Sequence, residues 1–129
     1  NKSLIDILLD EDFVPVISPI ALSEEFEYLN VDGDRAAAHI AGNMRADRVI
    51  FLTDVAGLLI DGRLIENLTL DEAKMMLPKI GFGMEKKILA CTEALELGVG
   101  EAIVGNGSRE NPISKLLAHE NCTVIKAHE

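Results

Sequence analysis

Apolar residues recur along this chain with two different periods, and the switching between them sets the expected order of elements. Leu4, Ile5, Leu8 and Leu9 stand at helical spacing, which predicts an amphipathic helix over residues 2–11. Phe13-Val14-Pro15-Val16-Ile17-Ser18 is a short apolar run and predicts a buried strand. The polar stretch from Ser23 to Tyr28 predicts a loop or small hairpin. Asp32-Gly33-Asp34 then opens a helix in which Ala36, Ala37, Ile40, Ala41 and Met44 form one apolar stripe. Arg35, His39 and Asn43 fall on its opposite side. Arg48-Val49-Ile50-Phe51-Leu52-Thr53 predicts the clearest buried strand. Leu58-Leu59-Ile60 and Arg63-Leu64-Ile65, joined by Asp61-Gly62, predict a hairpin.

Thr69 and Glu72 have capping-box spacing for a helix from Leu70 to Leu77, ended by Pro78. Gly81-Phe82-Gly83 precedes a long helix from Met84 to Leu97, closed by Gly98. Glu101-Ala102-Ile103-Val104 predicts a strand, Asn111-Pro112 starts a short helix, and Cys122-Thr123-Val124-Ile125 predicts a closing strand. Strands alternating with helices predict an α/β fold, a mostly parallel sheet covered by helices. No repeat, linker or low-complexity segment interrupts the pattern, so residues 1–129 read as one domain or one lobe of a larger one.

Composition narrows the function classes. The formal net charge is −10, which disfavours a nucleic-acid partner while leaving room for a local lysine cluster to hold a small phosphate ligand. No apolar run reaches the ~18 residues needed to span a membrane. Cys91 and Cys122 sit far apart in apolar settings without metal-ligand spacing, and read as buried free thiols of a cytoplasmic protein. His39, His119 and His128 are scattered, so no metal site is expected. The chain opens with Asn1 rather than Met and runs at once into a helical pattern, which suggests a truncated chain.

Three segments could carry chemistry. In Gly81-Phe82-Gly83-Met84-Glu85-Lys86-Lys87 the glycines allow a ligand close to the backbone, and the helix that follows offers free N–H groups to an anion. Two lysines in its first turn oppose the helix dipole, at about 0.3–1 kcal/mol each, a conflict that a bound phosphate would remove. Lys87 flanks the buried stripe of Met84, Ile88, Cys91 and Leu95, whereas Lys86 points away, so Lys87 is the better candidate. From spacing alone, two solvated lysines balanced by Glu85 and Glu93 explain the segment more simply. The second segment, Asn30-Val31-Asp32-Gly33-Asp34-Arg35-Ala36-Ala37, lies at a loop-to-helix junction where ligands of open α/β sheets bind. One aspartate suffices to cap a helix, and here there are two. The third, Thr53-Asp54-Val55-Ala56-Gly57-Leu58, follows the best strand directly and reads either as crevice or as solvated turn. Gly105-Asn106-Gly107-Ser108 has the same ambiguity.

Taken together, the order and spacing of these three segments resemble the amino acid kinase family over almost the whole chain. The nearest branch resembles acetylglutamate kinase. The resemblance implies an αβα sandwich with a mainly parallel, carbamate kinase-like sheet, of which this chain would be the C-terminal, nucleotide-binding lobe. Family members of this branch run to about twice this length, with a glycine-rich phosphate loop and a further lysine in a first half that nothing here matches.

By matching position, Asp34 resembles the aspartate that organises the catalytic lysines, and Lys87 the lysine that stabilises the phosphoryl group. Asn30 resembles the asparagine that holds the acylated amino acid. Thr53, Asp54, Gly57 and Leu58 resemble the nucleotide site, with Gly83 and Met84 on the loop beside the phosphates. The implied cofactors are ATP and Mg²⁺ carried by its phosphates. The implied reaction makes an acyl phosphate in arginine or lysine biosynthesis, and self-association into a homo-oligomer is expected. Asp32-Gly33-Asp34 departs from the Asn-Ala-Asp usual in acetylglutamate kinases. In that respect the chain resembles the related kinases acting on aminoadipate or glutamate held on an amino-group carrier protein. A uridylate or aspartate kinase, or a non-catalytic nucleotide-binding module, are the competing readings.

Overall fold

The computed structural model describes residues 2–128. Helix α1 spans Lys2–Asp10, as its apolar spacing predicts. The next segment departs from expectation. Residues 13–18 form no strand: Phe13, Val14, Val16 and Ile17 are all exposed. An apolar run reads as a buried strand only if another strand receives it, and among the described residues none does. The hairpin follows, with β1 (Ile20–Leu22) antiparallel to β2 (Tyr28–Asn30).

Helix α2 (Gly33–Met44) starts on Asp32, whose carboxylate accepts a hydrogen bond from the Arg35 N–H. Its buried face is rotated from the predicted stripe. Ala38, Ala41 and Gly42 are buried, with Gly42 set against Leu97 at the end of α4 (Met84–Glu96). Ala36, Ala37, Ile40 and Met44 instead line a largely apolar cavity of about 380 Å³ with Pro15, Ile17 and Pro19. The predicted polar side is not wholly solvated either, because Arg35 forms an ion pair with Glu93 of α4.

Strand β3 (Arg48–Thr53) is followed by the small hairpin β4 (Leu59–Ile60) and β5 (Arg63–Leu64). A short strand β6 (Asn67–Thr69), not anticipated from sequence, runs into α3 (Leu70–Met76). The capping box at Thr69 and Glu72 forms in full, and Pro78 sits in a 3₁₀ turn, Leu77–Lys79. After α4 come β7 (Glu101–Asn106), α5 (Pro112–Leu117) and β8 (Thr123–Lys126).

The main sheet has the order β3-β7-β8-β6. β3/β7 and β6/β8 pair parallel, and β7/β8 antiparallel, so the sheet is mainly parallel as expected. β3 is an edge strand, with Leu52 exposed; the fully buried centre is β7. Strand alternation builds two layers of core. Val49, Phe51, Ala102, Val104 and Ile125 pack with α2, α3 and α4 on one face. Ile103, Val124 and Cys122 pack with Leu116 of α5 on the other. The result is an αβα sandwich whose parallel strands β3 and β7 end side by side at Thr53 and Asn106.

Candidate functional site

The crevice beyond those strand ends gathers most of the chemistry-bearing residues. Thr53, Asp54, Val55, Phe82, Gly83, Met84 and Lys87 line a cavity of about 320 Å³. A second, of about 200 Å³, is lined by Val55, Gly57, Leu58, Leu59, Ile80, Gly81, Phe82 and Met84. Val55, Phe82 and Met84 belong to both, so the two are halves of one groove. One half presents the polar side chains of Thr53, Asp54 and Lys87; the side chains lining the other, among them Val55, Leu59, Ile80 and Met84, are all apolar. The cavity along α2 is larger but holds no titratable side chain.

At the polar end, Lys87 Nζ lies 3.0 Å from both Asp34 carboxylate oxygens, with both side chains about a quarter exposed. The two aspartates of the α2 start thus divide their work. Asp32 caps the helix through the Arg35 N–H at 3.1 Å, while Asp34, inside the first turn, is free to reach across to α4. Lys87 is half-buried because it borders the face of α4 that carries Ile88 and Cys91 inward. Cys91, one turn further on, is fully buried, and burial together with the nearby Asp34 carboxylate pushes its thiol far up, so it stays protonated and inert. Neither lysine is balanced by Glu93, which is taken by Arg35. Lys86 stands 5.4 Å from the centre of the Phe82 ring, outside the ion pair.

The loop after β3 is tied down from behind. The Thr53 hydroxyl donates to Asp54 Oδ1 at 3.2 Å, and the Gly107 N–H donates to the Thr53 carbonyl at 2.9 Å. The Thr123 hydroxyl accepts from the Leu58 N–H at 2.8 Å and donates to the Ile65 carbonyl at 2.6 Å. Gly57 lies so close to Thr123 that a Cβ would come within 2.5 Å of its Oγ1. Gly83, with φ +93°, admits the sharp turn into α4 that a side chain would strain.

Of the sequence candidates, Thr53, Asp54, Gly57, Leu58, Gly83, Met84 and Lys87 line the groove, and Asp34 holds its lysine. Asn30 does not line it; it ends β2, exposed, two residues before the α2 cap. Sequence reading passed over Phe82 and Thr123. Each left a trace: an aromatic residue set between glycines, and a hydroxyl inside an apolar strand.

The profile of the amino acid kinase family matches residues 1–106. This chain belongs to the amino acid kinase family. Over all 129 residues it is 60% identical to a protein of Nitrosopumilus maritimus provisionally named a LysW-aminoadipate/LysW-glutamate kinase, covering 48% of that protein. It is 42% identical over 127 residues to the LysW-aminoadipate/LysW-glutamate kinase of Sulfolobus acidocaldarius, covering 98% of this chain and 48% of the relative. The chain therefore spans about half the length of the curated relatives it matches. The fold is also that of N-acetylglutamate synthase from Neisseria gonorrhoeae, at a TM-score of 0.92 and 24% identity over 99% of this chain and 31% of the other. Carbamate kinase from Giardia lamblia bound to AMP-PNP has a TM-score of 0.78 at 20% identity over 97% of this chain and 44% of that one. The family and the carbamate kinase-like αβα fold implied by the resemblance are thereby shown.

Proposed function

We propose that this chain is the ATP-binding half of a kinase that phosphorylates the side-chain carboxylate of aminoadipate or glutamate held on an amino-group carrier protein. The observation that carries this reading is the Asp34–Lys87 pair at one end of a groove whose other end is lined by apolar side chains alone. A nucleoside triphosphate has that same polarity, a charged chain on an apolar base. In this reading the phosphates lie toward Lys87, Gly83 and Thr53, and the base toward Leu58 and Leu59. The acceptor carboxylate attacks the γ-phosphorus, the bond to the bridging oxygen breaks, and ADP leaves as the acyl phosphate forms. Lys87 neutralises charge gathering on the transferred group, and Asp34 fixes the direction of its ammonium. Asn30, on the exposed hairpin before α2, faces the acceptor in this scheme.

Mg²⁺ would arrive with the nucleotide. No group of three or more His, Cys, Asp or Glu that could hold a metal occurs among the described residues, and Asp54 is the carboxylate on the groove able to meet a hydrated ion. Two features support the carrier-linked acceptor over acetylglutamate: Asp32-Gly33-Asp34 in place of Asn-Ala-Asp, and the names of the relatives.

The test replaces the matching half of the Nitrosopumilus maritimus protein with this chain. The hybrid is given ATP and carrier-linked aminoadipate, carrier-linked glutamate or acetylglutamate, and acyl phosphate is trapped as hydroxamate. Product from a carrier-linked acceptor is expected. Product from acetylglutamate alone would overturn the acceptor, and product from none would overturn the kinase reading. The 129-residue chain by itself is expected to yield no hydroxamate, because Lys87 is the one cation lining the groove among its described residues.

A further inference from the structure

Phe82 is the most conspicuous residue of the groove that the proposed reaction leaves without a task. The residue is 93% exposed, an unfavourable place for a large apolar ring in water. It nevertheless lines both halves of the groove, at the boundary between the polar and the apolar end. Gly81 and Gly83 flank it, and a Cβ at either would meet nothing within 4 Å, so the ring stands on a loop with open space on both sides. Lys86 places its ammonium 5.4 Å from the ring centre, within reach of a cation–π contact.

We infer that Phe82 is a stacking platform for the nucleobase, a specificity residue of the nucleotide site. This rests on the nucleotide reading given above. An aromatic face beside an apolar half-groove fits a flat heterocycle, which gains from stacking with any aromatic ring. The phosphates need no such partner, since Lys87 and the Gly83 backbone lie at the other end. Exposure before binding is then the consequence of function: the ring is covered only when the base lies on it.

The experiment measures binding of ATP and of inorganic tripolyphosphate to the hybrid kinase by calorimetry, with Phe82 in place and as Phe82→Leu and Phe82→Trp. Leucine keeps apolar bulk without a π face. Phe82→Leu is expected to weaken ATP roughly 5- to 150-fold, the range for loss of one base–aromatic stack, with tripolyphosphate unchanged and Phe82→Trp close to the form with Phe82. Equal ATP affinity in the form with Phe82 and in Phe82→Leu would overturn the assignment and leave the nucleotide site standing. Equal losses for both ligands would also overturn it, showing a rearranged loop instead. Absence of ATP binding in the hybrid with Phe82 in place would sink the nucleotide reading itself, and the platform with it.

Discussion

Lys87 of α4 and Asp34 of α2 are 53 residues apart in the chain, yet the ammonium stands 3.0 Å from each carboxylate oxygen. The pair stands where two helices meet at the end of the sheet. Neither group is buried deeply enough to be a structural ion pair alone, and neither is solvated enough to be indifferent to its partner. That intermediate position suits a cation that must be aimed and still accept a second anion.

Lys87→Ala in the hybrid kinase is therefore expected to lower turnover about 10²–10³-fold, the usual cost of removing one donor that stabilises developing charge. Asp34→Asn keeps the shape but releases the ammonium, so a smaller loss is expected. Hydroxamate release gives the rates, and thermal melting verifies that both variants remain folded. Unimpaired turnover in Lys87→Ala would remove the central residue of the scheme.

Thr123 and Gly57 form a second long-range contact with a separable consequence. Thr123 is fully buried and its hydroxyl satisfies both the Leu58 N–H and the Ile65 carbonyl. Thr123→Val strands that buried donor and acceptor, at a cost of roughly 1–3 kcal/mol. Gly57→Ala drives a Cβ to 2.9 Å from the Thr123 backbone nitrogen, which cannot move without disturbing β8. Both variants are expected to melt several degrees lower and to bind ATP more weakly. Calorimetric melting and ATP titration check this, and a Gly57→Ala protein as stable as wild type would show that the loop is not held there.

These two contacts also mark how far sequence carries. Helices α1 to α5 were legible because apolar spacing, Asp32, the Thr69–Glu72 box and Gly98 each state a local rule. The groove was legible as three segments whose joint order resembles one family, but not as a geometry. Spacing alone does not say that Asp34 rather than Asp32 reaches Lys87; the family resemblance picks Asp34, and the physical reason is capping geometry, with Asp32 on the Arg35 N–H. Strand β6 escaped because three residues ending in an N-cap have no period to detect. Residues 13–18 misled for the opposite reason, since composition reports the wish for a partner strand and not its presence.

The other end of β7 carries a charge cluster with a measurable pH signature. Glu101, almost buried, meets Arg48, His119 Nε2 at 3.0 Å and Lys126 at 3.6 Å. Burial pushes its carboxyl upward, but the His119 hydrogen bond and charge, with those of Arg48, outweigh burial and leave it below its ordinary 4.5. A lowered folded value means that the unfolded chain binds the proton more readily. The stabilisation is thus complete above the ordinary glutamate value and is lost as pH falls through the folded one. Glu101→Gln should melt lower than wild type at neutral pH, with the gap narrowing below about pH 4.5. Melting curves across pH 3–7 read this out, and a gap that stays constant to the acid end would remove Glu101 as its source.

The exposed apolar face near the N-terminal end makes the last expectation. Val14 is 86% exposed and Val16 94%, and Phe13 and Ile17 stand beside them. Ile17 also borders the apolar cavity along α2. An extended, unpaired apolar segment beside an apolar groove is the arrangement through which chains associate. Sedimentation of the 129-residue chain should therefore give a mass above 14.0 kDa that rises with concentration. Val14→Asp with Val16→Asp should return it to the monomer without lowering its melting temperature, because both side chains already face water. In the hybrid kinase the remaining half of the relative is available to cover the same face. There the same two substitutions should instead destabilise the protein, since each now buries a charge. A monomeric wild-type chain at every concentration would show that this face needs no partner, and equal melting of the hybrid with and without the aspartates would show that the other half does not cover it.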